Sequence, residues 1–313
     1  MRILILGAGG IGGYFGARIH DAGGDVSFLV RPLRAENLMA EGLRVFSPLG
    51  DSHFTPRVVT ADSDLGDGYD VIFLSCKAYD LDSALDAIAP AVGPETVIVP
   101  LLNGIRHLDQ LDARFGREKV LGGLAHLSLK LTPTGEIQHL NNFHRLMIGS
   151  RTPTPSHWLA PLAELLGKTG VEFTLAPDIE QDMWNKFVFI TTLAGATCAM
   201  RANIGEIMRT NAGEDFILGL LGECGEVAAA NHRAPTAEQL AVYKGQLTDR
   251  YSGLVASMLR DIERGGPTEA EHIHGDMMRR GKLAGVQTPL LEFAYTHLQA
   301  YEAARKRLYP ETA

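Results

Sequence analysis

The chain has 313 residues, 45% of them apolar and 21% charged, with a net charge of −8. Those figures fit an ordinary globular protein of two domains and exclude a dedicated nucleic-acid binder, which needs a basic footprint against the phosphate backbone. Three cysteines, Cys76, Cys198 and Cys224, are odd in number and far apart. They give neither a disulfide framework nor a metal knuckle and fit a reducing compartment.

The first thirty-one residues carry the firmest signal. An apolar run, Ile3-Leu4-Ile5-Leu6, meets Gly7-Ala8-Gly9-Gly10-Ile11-Gly12 with no residue between. A small-residue helix and a second strand, Val26 to Val30, follow. This strand, G-x-G-x-x-G turn, helix and strand order is the context a dinucleotide-binding turn requires. Gly7 permits the tight turn, Gly9 lets a pyrophosphate approach the backbone, and Gly12 lets the helix close on the strand. The helix start offers N–H groups and a partial positive charge to that phosphate. NAD-binding versions usually place a carboxylate at the end of the second strand. This chain has Arg31 there, with Arg34 close behind and no carboxylate between Val26 and Arg34. A guanidinium suits a 2′-phosphate, so the cofactor expected is NADP(H).

Further along, a polar segment leads to strands at Leu43–Phe46 and Arg57–Thr60, expected as a hairpin added to the sheet. Asp70–Ser75 is a continuous apolar run, as in a strand covered on both faces. A helix is expected over Asp80–Ala91, a strand over Thr96–Leu102 despite Pro100, and a helix over Ile105–Phe115. Strand patterns at Val120–Leu131, Ile137–Leu140 and Leu146–Ile148 predict an antiparallel extension of the same sheet. Ser156–Lys168 predicts an amphipathic helix with a serine cap, and Val171–Leu175 a last strand. Beyond Pro177 the periodicity is helical to about Arg307. The reading is an α/β nucleotide-binding domain over 1–177 and an all-helical domain over 178–313. Phe187 to Met200 is the most apolar long stretch, short of the ~20 residues a membrane span needs. The N-terminal apolar run breaks into the phosphate turn, which cleavage would destroy, so a cleavable leader is not expected. A cytoplasmic protein is expected.

Several residues stand where chemistry is done. Lys77 and Asn103-Gly104 follow strand ends, where open α/β sheets bind ligands. An ordinary solvated lysine or turn would look the same. Lys186 lies in Met183-Trp184-Asn185-Lys186-Phe187-Val188-Phe189-Ile190. Partial burial there would lower its pKa toward working pH and make it a useful proton donor, although a snorkelling lysine also fits. Ser257 to Glu269 reads as a helix, a Gly-Gly-Pro break and a new helix start. Glu269 and His272 form a Glu-x-x-His pair, but a di-iron bundle needs a second copy, and no metal is expected.

Together these residues resemble the ketopantoate reductase (2-dehydropantoate 2-reductase) family. The resemblance rests on Gly7-x-Gly9-x-x-Gly12, Arg31, Cys76-Lys77-Ala78-Tyr79, Asn103-Gly104, Lys186, Ser257-Met258-Leu259-x-Asp261 and Thr268-Glu269. It implies a Rossmann-type N-terminal domain, a helical C-terminal domain and an active site in the cleft between them. It also implies NADPH-dependent reduction of a 2-oxo acid to a 2-hydroxy acid in pantothenate synthesis. Lys186 would then stabilise the developing oxyanion and deliver the proton, with Glu269 positioning lysine or substrate. Ser257 would bind the substrate carboxylate, Asn103 the substrate and nicotinamide side, Lys77 cofactor or substrate, and Arg31 the 2′-phosphate. Gly7, Ala8, Gly9, Gly10, Ile11 and Gly12 would hold the pyrophosphate.

The chain departs from the family on the lysine's helix. Members commonly carry asparagines four and eight residues after the lysine, where this chain has Ile190 and Ala194, and an Asn-Gly where it has His274-Gly275. A site that hydrogen-bonds a hydroxyl loses heavily when a partner is missing. Either Thr191 or Thr192 compensates, or the substrate is a more apolar 2-oxo acid or related carbonyl compound. A non-catalytic NADP(H)-binding regulator is a third reading, which Lys186 and Glu269 argue against. The expected partner is a small 2-oxo acid, with no nucleic acid and no membrane; the helical domain has enough apolar surface for a homodimer.

Overall fold

The computed structural model describes residues 1–308 apart from positions 64 and 67. The chain divides into two compact units, one of residues 1–102 and 107–180, the other of residues 103–106 and 181–313.

Among the described residues the first unit holds twelve strands. They are β1 (Arg2–Leu6), β2 (Asp25–Leu29), β3 (Leu43–Phe46), β4 (Ser52–Phe54), β5 (Arg57–Val59), β6 (Val71–Leu74), β7 (Val97–Pro100), β8 (Gly122–His126), β9 (Leu129–Leu131), β10 (Ile137–His139), β11 (Arg145–Gly149) and β12 (Glu172–Leu175). The first helices are α1 (Gly10–Asp21), α2 (Pro32–Glu41), α3 (Leu81–Ile88), α4 (Arg106–Phe115) and α5 (Leu159–Leu166). A parallel sheet runs in the order β5-β2-β1-β6-β7. Its central strands β1 and β6 are apolar almost throughout because both faces are covered: Ile3, Ile5, Val71 and Phe73 are fully enclosed.

Three expectations fail here. The hairpin partner of β3 is β4, and the two belong to a second sheet ordered β4-β3-β10-β9. Arg57–Val59 instead pairs in parallel with β2 at the edge of the main sheet. The strands after Val120 do not extend that sheet: β8, β11 and β12 form a third sheet, joined to β7 by one bridge, Ile98 to Val120. β7 ends on Pro100, and the Leu101 N–H beyond it still donates to the Leu74 carbonyl of β6 at 2.8 Å, so the proline sits where its missing N–H does not interrupt that ladder. The helix expected from Ser156 starts at Leu159; the Ser156 hydroxyl accepts from the Trp158 N–H in the preceding turn. The polar segment after Arg31 is a helix, α2, with Pro32 in its first turn, a position where the missing N–H costs nothing.

A buried polar network closes the underside of α1. The Tyr14 hydroxyl lies 2.6 Å from His144 Nδ1, whose Nε2 donates to the Gly170 carbonyl. Arg18 donates to the Gly50 carbonyl and stacks on the Tyr14 ring.

The second unit is helical: α6 (Ile179–Met200), which starts at the unit boundary, then α7 (Ile204–Ile207), α8 (Gly213–Ala230), α9 (Ala237–Leu247), α10 (Ser257–Glu263), α11 (Asp276–Leu283) and α12 (Pro289–Leu308). A π-helical turn, Glu271–Gly275, leads into α11. Glu223 of α8 accepts the N–H groups of Leu290 and Leu291, capping α12 with a carboxylate where the helix dipole favours one. Among the described residues no helix is long and apolar enough to cross a membrane.

Candidate active site

The glycine turn is built as a cradle. Gly7 has φ +89°, a backbone conformation that favours glycine. A Cβ on Gly12 would stand 2.2 Å from the Gly7 carbonyl oxygen and 2.2 Å from Ser75 Oγ, so α1 can lie this close to β1 and β6 only with glycine there. A Cβ on Gly9 would meet nothing within 4 Å. Gly9 also caps α1, and no side chain accepts the first-turn N–H groups there. Open space over N–H groups at a helix start fits a pyrophosphate. Ala8 is buried, while Gly10 and Ile11 are half-buried at the helix mouth.

The two arginines separate in role. Arg34 is anchored: Nη2 donates to the carbonyls of Ala8 (3.1 Å) and Gly135 (2.9 Å), and desolvation lowers its pKa. It braces the glycine turn from behind. Arg31, at the start of α2, is 79% exposed along its side chain and pairs with Asp80. Lys77 is half-buried in an extended conformation just after β6, ahead of the 3-10 turn Ala78–Asp80.

The second unit brings Lys186 and Glu269 together. Lys186 lies on α6 between the buried Trp184 and Phe187. The residue keeps some surface, but its ammonium is deep enough for desolvation to dominate: its pKa is pushed down to about 8, with the Glu269 carboxylate acting the other way. Glu269 is itself 7% exposed. A cationic lysine beside a buried carboxylate is a group that can give up a proton near neutral pH.

Asn103 joins this group through His272. The imidazole hydrogen-bonds the Asn103 main chain, and a Cβ on Gly104, where φ is +75°, would come 3.1 Å from the ring. Burial holds the His272 pKa below its ordinary value, against the pull of Glu269 and Asp276 and with that of Arg106. Arg106 pairs with Glu271 at 2.9 Å, and the Tyr295 hydroxyl donates to the same carboxylate. Sequence reasoning missed this clamp, because Arg106 and Glu271 are 165 positions apart.

Ser257 is exposed at the start of α10. Ile190 is half-buried and Ala194 buried on α6, one and two turns past Lys186. Thr192 is tied to its own helix, donating to the Val188 carbonyl at 2.9 Å. The Thr191 hydroxyl is fully buried and meets no partner. Its carbonyl accepts from His274 Nε2.

Comparison with known proteins decides the family. The model described as ketopantoate reductase PanE/ApbA matches residues 3–153, and its C-terminal counterpart matches residues 178–302. The chain belongs to the ketopantoate reductase family. A Bacillus subtilis (strain 168) relative named "Uncharacterized oxidoreductase YkpB" is 36% identical over 97% of this chain and 100% of its own length. The solved structure of a 2-dehydropantoate 2-reductase from Geobacter metallireducens GS-15 is 27% identical, with a TM-score of 0.87 over 96% of this chain and 99% of that one. A ternary structure of D-mandelate dehydrogenase with NADH and anilino(oxo)acetate shares the fold, at 23% identity and a TM-score of 0.88 over 98% and 99% of the two chains. The two family matches thus span residues 3–153 and 178–302, and the protein is a nicotinamide-dinucleotide-dependent oxidoreductase acting on a CH–OH group.

Proposed function

We propose that the protein reduces a 2-oxo acid to the 2-hydroxy acid with NADPH, with 2-dehydropantoate as substrate and pantoate as product, in the cytoplasm and in pantothenate synthesis. The observation that carries this reading is Lys186, desolvated beside Glu269 with a pKa lowered to about 8. The cofactor supplies a hydride to the carbonyl carbon. Lys186 Nζ then stabilises the charge gathering on the carbonyl oxygen and gives it a proton, so that one hydride on carbon and one proton on oxygen complete the alcohol. Glu269 keeps the lysine cationic below that pKa and orients it. Asn103, held by His272, takes the polar groups of substrate and nicotinamide, and Ser257 takes the substrate carboxylate. The glycine turn, Gly7 to Gly12, holds the pyrophosphate, with Lys77 contacting cofactor or substrate and Arg31 the 2′-phosphate.

A second reading has its own support. Ile190 and Ala194 offer no hydrogen bond on the lysine's helix, and Thr192 spends its hydroxyl on Val188. Those residues favour a more apolar 2-oxo acid over one carrying a hydroxyl. The deciding experiment is NADPH oxidation with 2-dehydropantoate and a panel of 2-oxo acids of increasing apolar bulk. Highest kcat/KM for 2-dehydropantoate upholds the first reading; preference for an apolar member selects the second. Tight NADPH binding with no turnover of any compound would leave a regulator.

A further inference from the structure

The end of β2 lacks a carboxylate in sequence, yet the fold supplies one. β2 and β6 flank β1 in the parallel sheet, and Arg31 and Asp80 lie beyond their C-terminal ends. Arg31 Nη2 reaches Asp80 Oδ1 at 3.1 Å, just past the glycine turn. Asp80 stands at the N-cap of α3, where an aspartate usually accepts an N–H from its own helix. Its side chain makes no such bond. The carboxylate is turned to Arg31 instead, while the Ser83 hydroxyl bonds back to the Asp80 carbonyl. The partners are 79% and 39% exposed, and an ion pair that open to water adds little to stability. A cap has been given up for a contact with small structural return, at the place where the adenosine ribose of a dinucleotide would lie.

We propose that Asp80 is a specificity-determining residue for the cofactor: its carboxylate holds Arg31, weakens the selection for a 2′-phosphate and accepts a hydrogen bond from an unphosphorylated ribose. The proposal rests on the assignment of Arg31 to the 2′-phosphate. A dianionic phosphate that approaches Arg31 meets a like charge beside it, which subtracts from the attraction. A ribose 2′-OH meets an acceptor. Arg34 is held elsewhere, its Nη2 donating to the Ala8 and Gly135 carbonyls, and makes no pair with Asp80. The chain therefore uses NADH as well as NADPH, with a preference narrower than Arg31 alone would impose.

The test is direct binding of NADPH and NADH, followed by nicotinamide fluorescence without substrate, in the parent, Asp80→Asn, Asp80→Ser and Arg31→Ala. Removing the carboxylate is expected to raise the NADPH-over-NADH affinity ratio about fivefold or more in both Asp80 variants, the effect of one nearby charge in water. Arg31→Ala is expected to collapse the ratio toward one. If the Asp80 variants stay within about twofold of the parent while Arg31→Ala collapses the ratio, the role of Asp80 is refuted and that of Arg31 stands. An unchanged ratio in Arg31→Ala refutes both.

Discussion

His274 donates its Nε2–H to the main-chain carbonyl of Thr191 across 3.2 Å, tying the π-helical turn to α6. The ring is fully enclosed, its Nδ1 meets no partner, and a Cβ on Gly195 would sit 3.4 Å from Nε2. Burial pushes its pKa down to about 4, only partly offset by the bond to Thr191. In the unfolded chain the imidazole titrates near 6.5. Between those values the unfolded state binds the extra proton. The contribution is full above about pH 6.5 and is lost as pH falls through about 4, a loss on the order of 3 kcal/mol. Thermal unfolding at pH 7 and pH 5 should show the drop in the parent and a smaller one in His274→Gln. Equal drops would place the acid sensitivity elsewhere, His144 being the next candidate, since burial lowers its pKa too.

Lys186 sets the pH dependence of the reaction. The proton donor is the ammonium, so kcat/KM for reduction should be level below about pH 8 and fall as pH rises through it. The reverse oxidation should rise over the same interval. Lys186→Ala is expected to lower kcat about 100-fold or more while NADPH affinity changes little. A pH profile with no break near 8, or a mutant as fast as the parent, would remove the lysine from proton transfer.

Two glycines of one turn should respond oppositely to a single methyl group. Gly12→Ala forces a Cβ to 2.2 Å from the Gly7 carbonyl, and backbone there cannot yield cheaply. It should destabilise the protein by about 2 kcal/mol or more. Gly9→Ala adds a methyl to open space and should cost about 1 kcal/mol or less in stability. That methyl would stand in the path of a pyrophosphate, so dinucleotide affinity should fall sharply. Unaltered binding in Gly9→Ala would move the phosphate away from the turn.

Arg34→Ala removes two charged hydrogen bonds, to Ala8 and Gly135, and should cost about 2 kcal/mol. Binding of NADPH should weaken no more than binding of NADH, because the residue braces the turn without reading the ribose. Selective loss of NADPH would make Arg34 a phosphate ligand. Denaturant unfolding and the two titrations distinguish these outcomes.

What the sequence made legible follows from which interactions are local. β1, the glycine turn and α1 are contiguous, and each announces itself by composition. Lys186 stood out because a lysine amid Trp184, Phe187 and Val188 is unexpected, although a side chain snorkelling to water fits the same sequence. α2 went unread because it buries only Ala35 and Leu38, too thin an apolar stripe to show a period. The pairing of β5 with β2 is parallel and crosses about thirty positions, whereas turn residues favour the nearest hairpin. Asp80, His272 and Arg106 are ordinary polar residues in a linear reading. Each acquires meaning from a partner that only folding delivers: Arg31 from 49 positions away, Asn103 and Glu271 from more than a hundred.

The four residues from Asn103 to Arg106 belong to the helical unit although they run from the loop after β7 into the first residue of α4, whose remainder lies in the nucleotide unit. No single cut therefore separates two complete halves. A fragment beginning at 181 would present Glu271 without Arg106 and His272 without the Asn103 main chain, a buried imidazole left facing water. Such a fragment should be poorly soluble on its own and should gain order when the first 180 residues are supplied in trans. Recombining domains between relatives at this junction would have to carry the short inner stretch with the helical half, or break the clamp in every chimera.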